Sequence, residues 1–399
     1  MKLLKRLYWK TQAFLASWLN GFPAKKLILI GVTGTDGKTS TTTLIHHILV
    51  NTNHKAAYIS TVGAKIGNQL SPVGFHVTTP RFFALQRYLR QAVEQKTKYL
   101  VLEVTSHAID QERVWGCRFK IAVLTNITNE HLDYHHNFLN YAKTKLKLVN
   151  QAEMAVVNSE PSTFYRYQKL IDNKNVWYTS LHKKSEVSYA NLVKQGLGPN
   201  WTDFEKENIL LAFTSCRLLG ISQSKIIKAI NSFQRVKGRF DYFVQKDRQF
   251  LVDFAHTPNA FLQLYKAIKE FKPQTKIIHV FGCAGLRDKS KRFKMGLLAG
   301  QNADLIILTE EDYRTEDINK INQMIESGIK KNRSQIKNQT FFSIPSRQEA
   351  INFAIKKADK NDLILLTGKA HEQSLARGKK EEAWDEYQAI FRALEQKEA

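Results

Sequence analysis

Short apolar runs alternate with longer mixed segments through most of the chain. The runs KLILIGV (26–32), KAAYIS (55–60), KYLVLEV (98–104), IAVLTNI (121–127) and EMAVVN (153–158) have strand length and few polar positions. Such runs suit strands buried on both faces of a parallel sheet. Segments long enough for a helix lie between several of them, so the series reads as βαβ units. A polar, irregular passage over 183–200 interrupts it, followed by the helical pattern FEKENILLAFTSCRLLG. The alternation restarts with FLVDFAH (250–256), KIIHVFGC (276–283), DLIILTE (304–310), TFFSI (340–344) and DLILLTG (362–368). RVKGRFDYF joins the two series and places a boundary near 236–239. Two α/β domains in tandem imply a ligand cleft between them.

The opening stretch MKLLKRLYWKTQAFLASWLNGFP carries Leu4, Leu7, Tyr8, Leu15, Trp18 and Leu19 at roughly helical spacing among basic residues. This predicts an amphipathic helix over residues 1–20, stopped by Gly21 and Pro23. Lys10, Thr11 and Gln12 break any signal-peptide core, and no small-x-small cleavage site follows. The apolar side has two uses open to it. It covers an apolar patch on the adjoining domain, the commoner fate. Otherwise it lies in a bilayer interface while Lys2, Lys5, Arg6 and Lys10 meet anionic headgroups. No run of 18 uncharged apolar residues occurs, so nothing in the chain reads as a membrane span.

Composition is ordinary for a globular protein of 399 residues, with 43% hydrophobic and 24% charged. Cys117, Cys216 and Cys283 lie far apart without metal-ligand spacing, which suggests a reducing cytoplasm and no disulfide framework. The net charge of +24 is unusual. It suits a nucleic-acid binder, a protein on anionic lipid or an enzyme for polyanionic substrates, but a generally lysine-rich surface accounts for it first. The lysines are spread along the whole chain, and no nucleic-acid motif with interleaved aromatics occurs, so nucleic acid is disfavoured.

Candidate chemistry begins at GVTGTDGKTSTT, where Gly31, Gly34 and Gly37 read as a strand-to-helix turn. Backbone N–H groups in such a turn crowd around phosphate oxygens, and the new helix aims its positive end at them. Lys38 would reach the β- and γ-phosphates, and the Thr39 or Ser40 hydroxyl would ligate Mg²⁺. The glycine spacing departs from G-x-x-x-x-G-K-[ST], with Val32 where the first glycine is usual. The next strand ends carry LEVTSH and LTNITNEHLDYH, which brings Glu103 and His131, with Asp133, toward the same edge. A carboxylate there suits a hard cation beside a triphosphate.

Together, GVTGTDGKTSTT, LEVTSHAIDQERV, TNITNEHLDYH, GRFDYF, VDFAHTPNA, VFGCAGLRDKSKR and LTGKAHEQ resemble the Mur ligases. The match is nearest to the branch that adds the third residue of the peptidoglycan stem peptide, and the motifs follow the family's order from Lys26 onward. The resemblance implies an α/β fold. A P-loop ATPase domain with a mainly parallel sheet would cover residues 25–237, after the N-terminal helix at 1–24. A smaller Rossmann-like α/β ligase domain would follow over 238–399. It also implies a cytoplasmic enzyme using ATP and Mg²⁺. ATP phosphorylates a terminal carboxylate, an amine attacks the acyl phosphate, and the tetrahedral intermediate collapses to an amide.

By the same resemblance, Gly34, Thr35, Asp36, Gly37, Lys38, Thr39 and Ser40 hold the phosphates, and Asn208 lies near the adenine. Arg239, Asp253 and His256 meet the nucleotide when the domains close. Thr39, Glu103 and His131 serve magnesium. Lys145, in YAKTKLKL, matches the family's carbamylated lysine, and its spacing after HLDYH selects it over Lys143 and Lys147. With Lys38, Glu103 and His131 it makes the catalytic set. A muramoyl dipeptide would meet Thr78, Thr79, Thr105, Gln111 and Arg113. The incoming amino acid would meet Arg287, Glu311, Asp312, Arg314, Gly368 and Glu372. Thr105 replaces the usual serine, Glu205 replaces an expected partner of Asn208, and Ala284, Leu286 and Ala370 replace a glycine, an aspartate and a glycine.

Diaminopimelate-adding members carry Asp-Asn-Pro-Arg where this chain has Glu311-Asp312-Tyr313-Arg314. Arg314 suits a distal carboxylate, which favours diaminopimelate. Glu311 and Asp312 suit a side-chain ammonium such as that of lysine or ornithine, and a surface pair of Arg314 with Glu316 or Asp317 is the bland alternative. Typical members begin with a domain that grips uridine diphosphate, and only some two dozen residues precede the first strand here, so that domain is expected to be missing. Rivals are a pseudomurein or polyglutamate ligase of the same build, or a basic P-loop ATPase that binds nucleic acid or membrane.

Overall fold

The computed structural model describes residues 2–74, 76–182, 185, 187–331 and 339–396. The chain divides into two compact units, Met1–Gln234 and Arg235–Ala399.

The first unit is built on β1 (Ile28–Thr33), β2 (Ala56–Ser60), β3 (Gly63–Ile66), β4 (Gln69–Ser71), β5 (Tyr99–Glu103), β6 (Phe119–Leu124), β7 (Met154–Asn158) and β8 (Val176–Thr179). They form one sheet in the order β4-β3-β2-β5-β1-β6-β7-β8, parallel except for β3 and β4. Helices α1 (Lys2–Leu19), α2 (Lys38–Asn51), α3 (Phe82–Glu94), α4 (Ser106–Asp110), α5 (Leu132–His135), α6 (Phe138–Gln151), α7 (Tyr189–Lys194), α8 (Asp203–Leu218) and α9 (Gln223–Asn231) complete it. Alternate residues of β1 go to opposite faces, as strand geometry dictates. Ile30 and Val32 join the core under α2, α8 and α9, and Leu29 joins the core under α3. β1 lies between β5 and β6, so the loops after these three strands meet at one sheet edge.

The second unit is built on β9 (Asp241–Gln245), β10 (Arg248–Asp253), β11 (Ile277–Phe281), β12 (Leu305–Leu308), β13 (Phe341–Ser343) and β14 (Leu363–Thr367). Their order is β13-β12-β11-β14-β10-β9, with only β9 antiparallel, and β15 (Ser374–Arg377) and β16 (Lys380–Ala383) form a separate hairpin. Helices α10 (Pro258–Phe271), α11 (Ser290–Asn302), α12 (Ile318–Ile329), α13 (Arg347–Lys357) and α14 (Glu386–Gln396) flank it. One face packs on Ala350, Ile351, Ala354, Ala389 and Ile390 of α13 and α14. α11 and α12 touch backbone to backbone: a Cβ on Gly296 would lie 2.0 Å from Ile325 O, and one on Gly328 2.1 Å from Phe293 O.

The mostly parallel α/β architecture agrees with the apolar pattern. Short or polar strands escaped it: β3, β4, β8, β9, β15 and β16 offer too few alternating apolar positions. The run at 121–127 leaves the sheet after Leu124, because Thr125 and Asn126 turn to bond the loop after β1. The passage at 183–200 contains α7, while residues 183, 184 and 186 lie outside the described residues.

The amphipathic helix forms, but its apolar side does not cover the domain. Ala13, Ala16 and Ser17 are its buried positions, whereas Leu4, Leu7, Tyr8, Trp18 and Leu19 are all more than half exposed. Small residues let the helix backbone approach the domain closely. Trp9 is partly buried and the Phe14 ring packs edge-on against Trp115, while the large residues of the stripe point away from the domain.

Candidate active site

Residues 34–37 connect β1 to α2 at the carboxyl ends of the parallel strands. A Cβ on Gly34 would lie 1.8 Å from Thr125 Oγ1, and one on Gly37, at φ +81°, would lie 2.6 Å from Asn208 Oδ1. Both positions exclude any side chain. Gly31, expected in the turn, lies inside β1, where a Cβ would strike the Phe119 ring at 2.8 Å. Gly37 caps α2 without a side chain, so the first-turn N–H groups are left for an anion.

The loop after β6 clamps this turn. Asn126 Oδ1 accepts from Asp36 N at 2.9 Å, and Thr125 Oγ1 donates to Asp36 O at 2.6 Å. Thr35 N donates to Asn126 O at 2.9 Å, and Thr35 Oγ1 accepts from Thr128 N at 3.0 Å. Lys38 Nζ folds back to Thr35 O at 2.7 Å. Asn208 is buried beside Gly37 and accepts from Thr41 Oγ1 at 3.1 Å. Glu205 serves α8 instead, closing a capping box with Thr202.

Glu103, buried at the end of β5, joins two groups of candidates. Its Oε2 accepts from Thr39 Oγ1 at 2.9 Å and from Thr61 N at 3.1 Å, and its Oε1 from Thr61 Oγ1 at 3.2 Å. Thr61 Oγ1 also lies 3.0 Å from Thr78 Oγ1. Thr79 Oγ1 donates to Glu103 O at 2.8 Å and accepts from Thr105 N at 3.1 Å. Arg113 donates to Thr79 O at 2.8 Å and grips Gln111 Oε1 through Nη2 at 2.7 Å. Thr105 caps α4, a role serine would fill equally. Of the five expected acceptor contacts, Thr78 reaches the Glu103 carboxylate through Thr61, while Thr79 bonds the Glu103 backbone carbonyl and links Thr105, Arg113 and, through Arg113, Gln111. Thr61 follows no motif and was missed.

Lys145 is 1% exposed on α6, while Lys143 is exposed. Its Nζ donates to Gly34 O at 2.6 Å and lies 4.7 Å from the centre of the Tyr141 ring. Burial, reinforced by the Lys38 charge, pulls its pKa well below the usual lysine value. A neutral amine is the form that captures CO₂. His131 stands 3.7 Å from Glu130, packed edge-on against His107 and facing Tyr141. Tyr141 in turn lies 3.1 Å from Thr35 Oγ1.

In the second unit, Arg239, Asp253 and His256 converge around Phe254. The Arg239 guanidinium lies 4.5 Å from the Phe254 ring centre, and His256 Nδ1 is 2.8 Å from Phe254 O. Asp253 accepts from Phe240 N and Ala255 N, each at 2.7 Å. Gly368 follows β14, where a Cβ would lie 2.9 Å from Glu311 Oε2. Burial raises the Glu311 carboxyl pKa, with Lys291 opposing. Asp312 is already paired: Lys369 Nζ donates to it at 2.9 Å and to Glu372 at 2.7 Å. Burial disfavours the Lys369 charge, yet Glu372 and Asp312 carry its pKa above the lysine norm.

Arg314 makes neither surface pair. Glu316 is held by Arg292 at 2.7 Å and by Leu286 N at 2.8 Å, while Arg314 Nη1 donates to Gly285 O at 2.9 Å and Asp312 O at 3.1 Å. Arg287 is exposed on the loop after β11, which the Gly285 contact joins to the Arg314 loop. His371, absent from the expected set, is partly buried with both ring nitrogens enclosed and without hydrogen bonds, and desolvation lowers its pKa to about 3.

Comparison with known proteins places both units. Residues 32–220 match the Mur ligase middle domain, and residues 238–370 match the Mur ligase glutamate ligase domain. The UDP-N-acetylmuramoyl-L-alanyl-D-glutamate–2,6-diaminopimelate ligase of Caldanaerobacter subterraneus is 37% identical over 406 residues, covering 97% of this chain and 82% of the relative. That of Alkaliphilus metalliredigens is 36% identical over 383 residues, covering 91% and 76%. The chain belongs to the Mur ligase family. A solved ligase with the same name is 26% identical at a TM-score of 0.60, over 98% of this chain and 84% of that one. A pseudomurein peptide ligase type C from Methanothermus fervidus shares the fold at 19% identity and a TM-score of 0.60, over 87% and 78%.

Mur ligases use ATP, and the first unit fits its phosphates. The bare N-terminus of α2, two positions with no room for a side chain and Lys38 make a cradle for polyanionic oxygen. The buried Thr39 hydroxyl against the Glu103 carboxylate offers hard oxygen ligands of the kind a divalent cation takes.

Proposed function

We propose that this Mur ligase adds 2,6-diaminopimelate to a muramoyl-L-alanyl-D-glutamate acceptor in peptidoglycan synthesis. The observation that carries the reading is the identity of 31–37% over most of the chain to enzymes named for that reaction. The local geometry supports it, since Glu103 joins the phosphate loop to the threonines that would hold the acceptor. The γ-phosphoryl group passes to an acceptor carboxylate oxygen as its bond to ADP breaks. The amine then attacks the acyl carbon, loses a proton and expels inorganic phosphate. Mg²⁺, held by Thr39, Glu103 and His131, would screen the phosphate charge.

This chain's own residues do the positioning. Residues 34–40 and Lys38 fix the triphosphate, with Asn208 beside the loop, and Arg239, Asp253 and His256 contribute nucleotide contacts from the second unit. Thr78, Thr79, Thr105, Gln111 and Arg113 orient the acceptor. Lys145 takes up CO₂ with loss of a proton and becomes an anionic carbamate. Arg287, Glu311, Asp312, Arg314, Gly368 and Glu372 receive the amino acid.

Phosphate release from ATP should need both a muramoyl dipeptide and the amino acid. Release driven by DNA, RNA or lipid and indifferent to the amino acid would replace the reading with that of a P-loop switch. Glu103→Gln should raise the Mg²⁺ concentration needed for half-maximal rate by about tenfold or more, since it removes a charged ligand. An unchanged Mg²⁺ titration would take Glu103 out of the metal site.

Among amines, diaminopimelate is expected to outcompete lysine and ornithine. Asp312 and Glu372 are already engaged by Lys369, which leaves less acidic charge for a substrate ammonium. Arg314, braced on two carbonyls, is mounted to meet a distal carboxylate. A higher kcat/KM for lysine would overturn this choice.

A further inference from the structure

α1 contains no acidic residue, and six of its large apolar side chains form one stripe. Leu4, Leu7, Tyr8, Leu15, Trp18 and Leu19 recur at helical spacing, and five of them are 58–72% exposed. Thr11 falls inside the stripe, but its hydroxyl donates to Leu7 O at 3.0 Å, so it does not need water. The opposite side, at Ala13, Ala16 and Ser17, is buried against the domain. At 100° per residue, Lys5 and Lys10 lie about 110° to either side of the stripe. The helix is thus fastened by its small residues with Trp9 and Phe14, leaving an apolar ridge outward and cations on both shoulders.

We propose that this outward face of α1 docks the enzyme on an anionic bilayer. The charge pattern selects that occupant. Apolar side chains enter the headgroup–acyl boundary while flanking lysines remain at the level of the lipid phosphates. The net charge of +24 adds long-range attraction to the same surface. The docked helix also lies beside the acceptor contacts, because Arg6 Nε bonds Glu112 Oε1 at 2.6 Å, between Gln111 and Arg113 in the chain. On the proposed function, the muramoyl acceptor would then be taken up close to the lipid surface.

The test is flotation of the full-length protein with vesicles of equal phosphatidylglycerol and phosphatidylcholine, and with phosphatidylcholine alone. At low salt the protein should float with the anionic vesicles and be released by high salt. Leu7→Glu/Trp18→Glu and, separately, Lys5→Glu/Lys10→Glu should each lower partitioning at least about tenfold. These positions are exposed, and vesicle-free ligation of a soluble acceptor should be unchanged in both variants. Wild-type protein that stays in the soluble fraction overturns the proposal. So does a Leu7→Glu/Trp18→Glu protein that floats as well as wild type, which would assign binding to diffuse surface charge. A wild-type dimer that this variant converts to monomer, without flotation, would assign the face to a second copy. Failure of ligation in solution would count against the proposed activity and leave the flotation result standing.

Discussion

Lys38→Ala should lower ligation by at least about a thousandfold, or ~4 kcal/mol of transition-state stabilisation. The magnitude follows from how few cations the phosphate loop offers. Lys38 sits in the first turn of α2, and its ammonium lies over the loop at Thr35 O. Among the described residues Lys145 also bonds the loop, but it donates to Gly34 O, and its burial favours the neutral amine. It cannot take over the charge on the transferring phosphate. Wild-type and variant proteins should melt at similar temperatures, because Lys38 is only partly buried and its one bond goes to its own loop. Coupled ADP release measures the loss. A variant within tenfold of wild type would remove Lys38 from phosphoryl transfer.

Lys145→Ala should be nearly as damaging, about a hundredfold or more, but repairable. The side chain is fully enclosed, so truncation leaves a space beside Gly34 O and the Tyr141 ring. Acetate or propionate can enter such a space and restore a carboxylate where the carbamate stood. Added short carboxylic acids should therefore recover part of the activity in Lys145→Ala and none in Lys38→Ala. An unmodified Lys145 in a nucleotide-bound crystal at neutral pH, together with no rescue, would overturn the carbamate.

Much of this was legible in the sequence because buried parallel strands announce themselves as apolar runs, and because the candidate motifs sit where those runs end. The family resemblance, placed by the spacing after HLDYH, singled Lys145 out from Lys143, and it is the enclosed one. Other features lacked any local signal. Thr61 and Asn126 act through partners distant in sequence, joined only by strand order. Gly31 looks like a loop glycine but is bare because Phe119, on the neighbouring strand, needs the space. The pattern of α1 revealed two faces but not which one turns inward. That was decided by three small residues, Ala13, Ala16 and Ser17, which periodicity counts as weak. Arg314 could be paired on paper with Glu316 only because Arg292, remote in sequence, was not seen to hold that carboxylate first.

The Glu103 carboxylate serves two clients at once. Its Oε2 bonds both Thr39 of the phosphate loop and Thr61 N, and its Oε1 bonds the Thr61 hydroxyl, which leads to Thr78. A carboxylate shared in this way has a single side-chain orientation to give. On the proposed function, metal-nucleotide and acceptor are then not independent guests, since either one that fixes this orientation prepares it for the other. Thermodynamic reciprocity makes the gain equal in both directions. The enzyme would thus commit ATP mainly when an acceptor is present to receive its phosphate, with one threonine hydroxyl as the go-between.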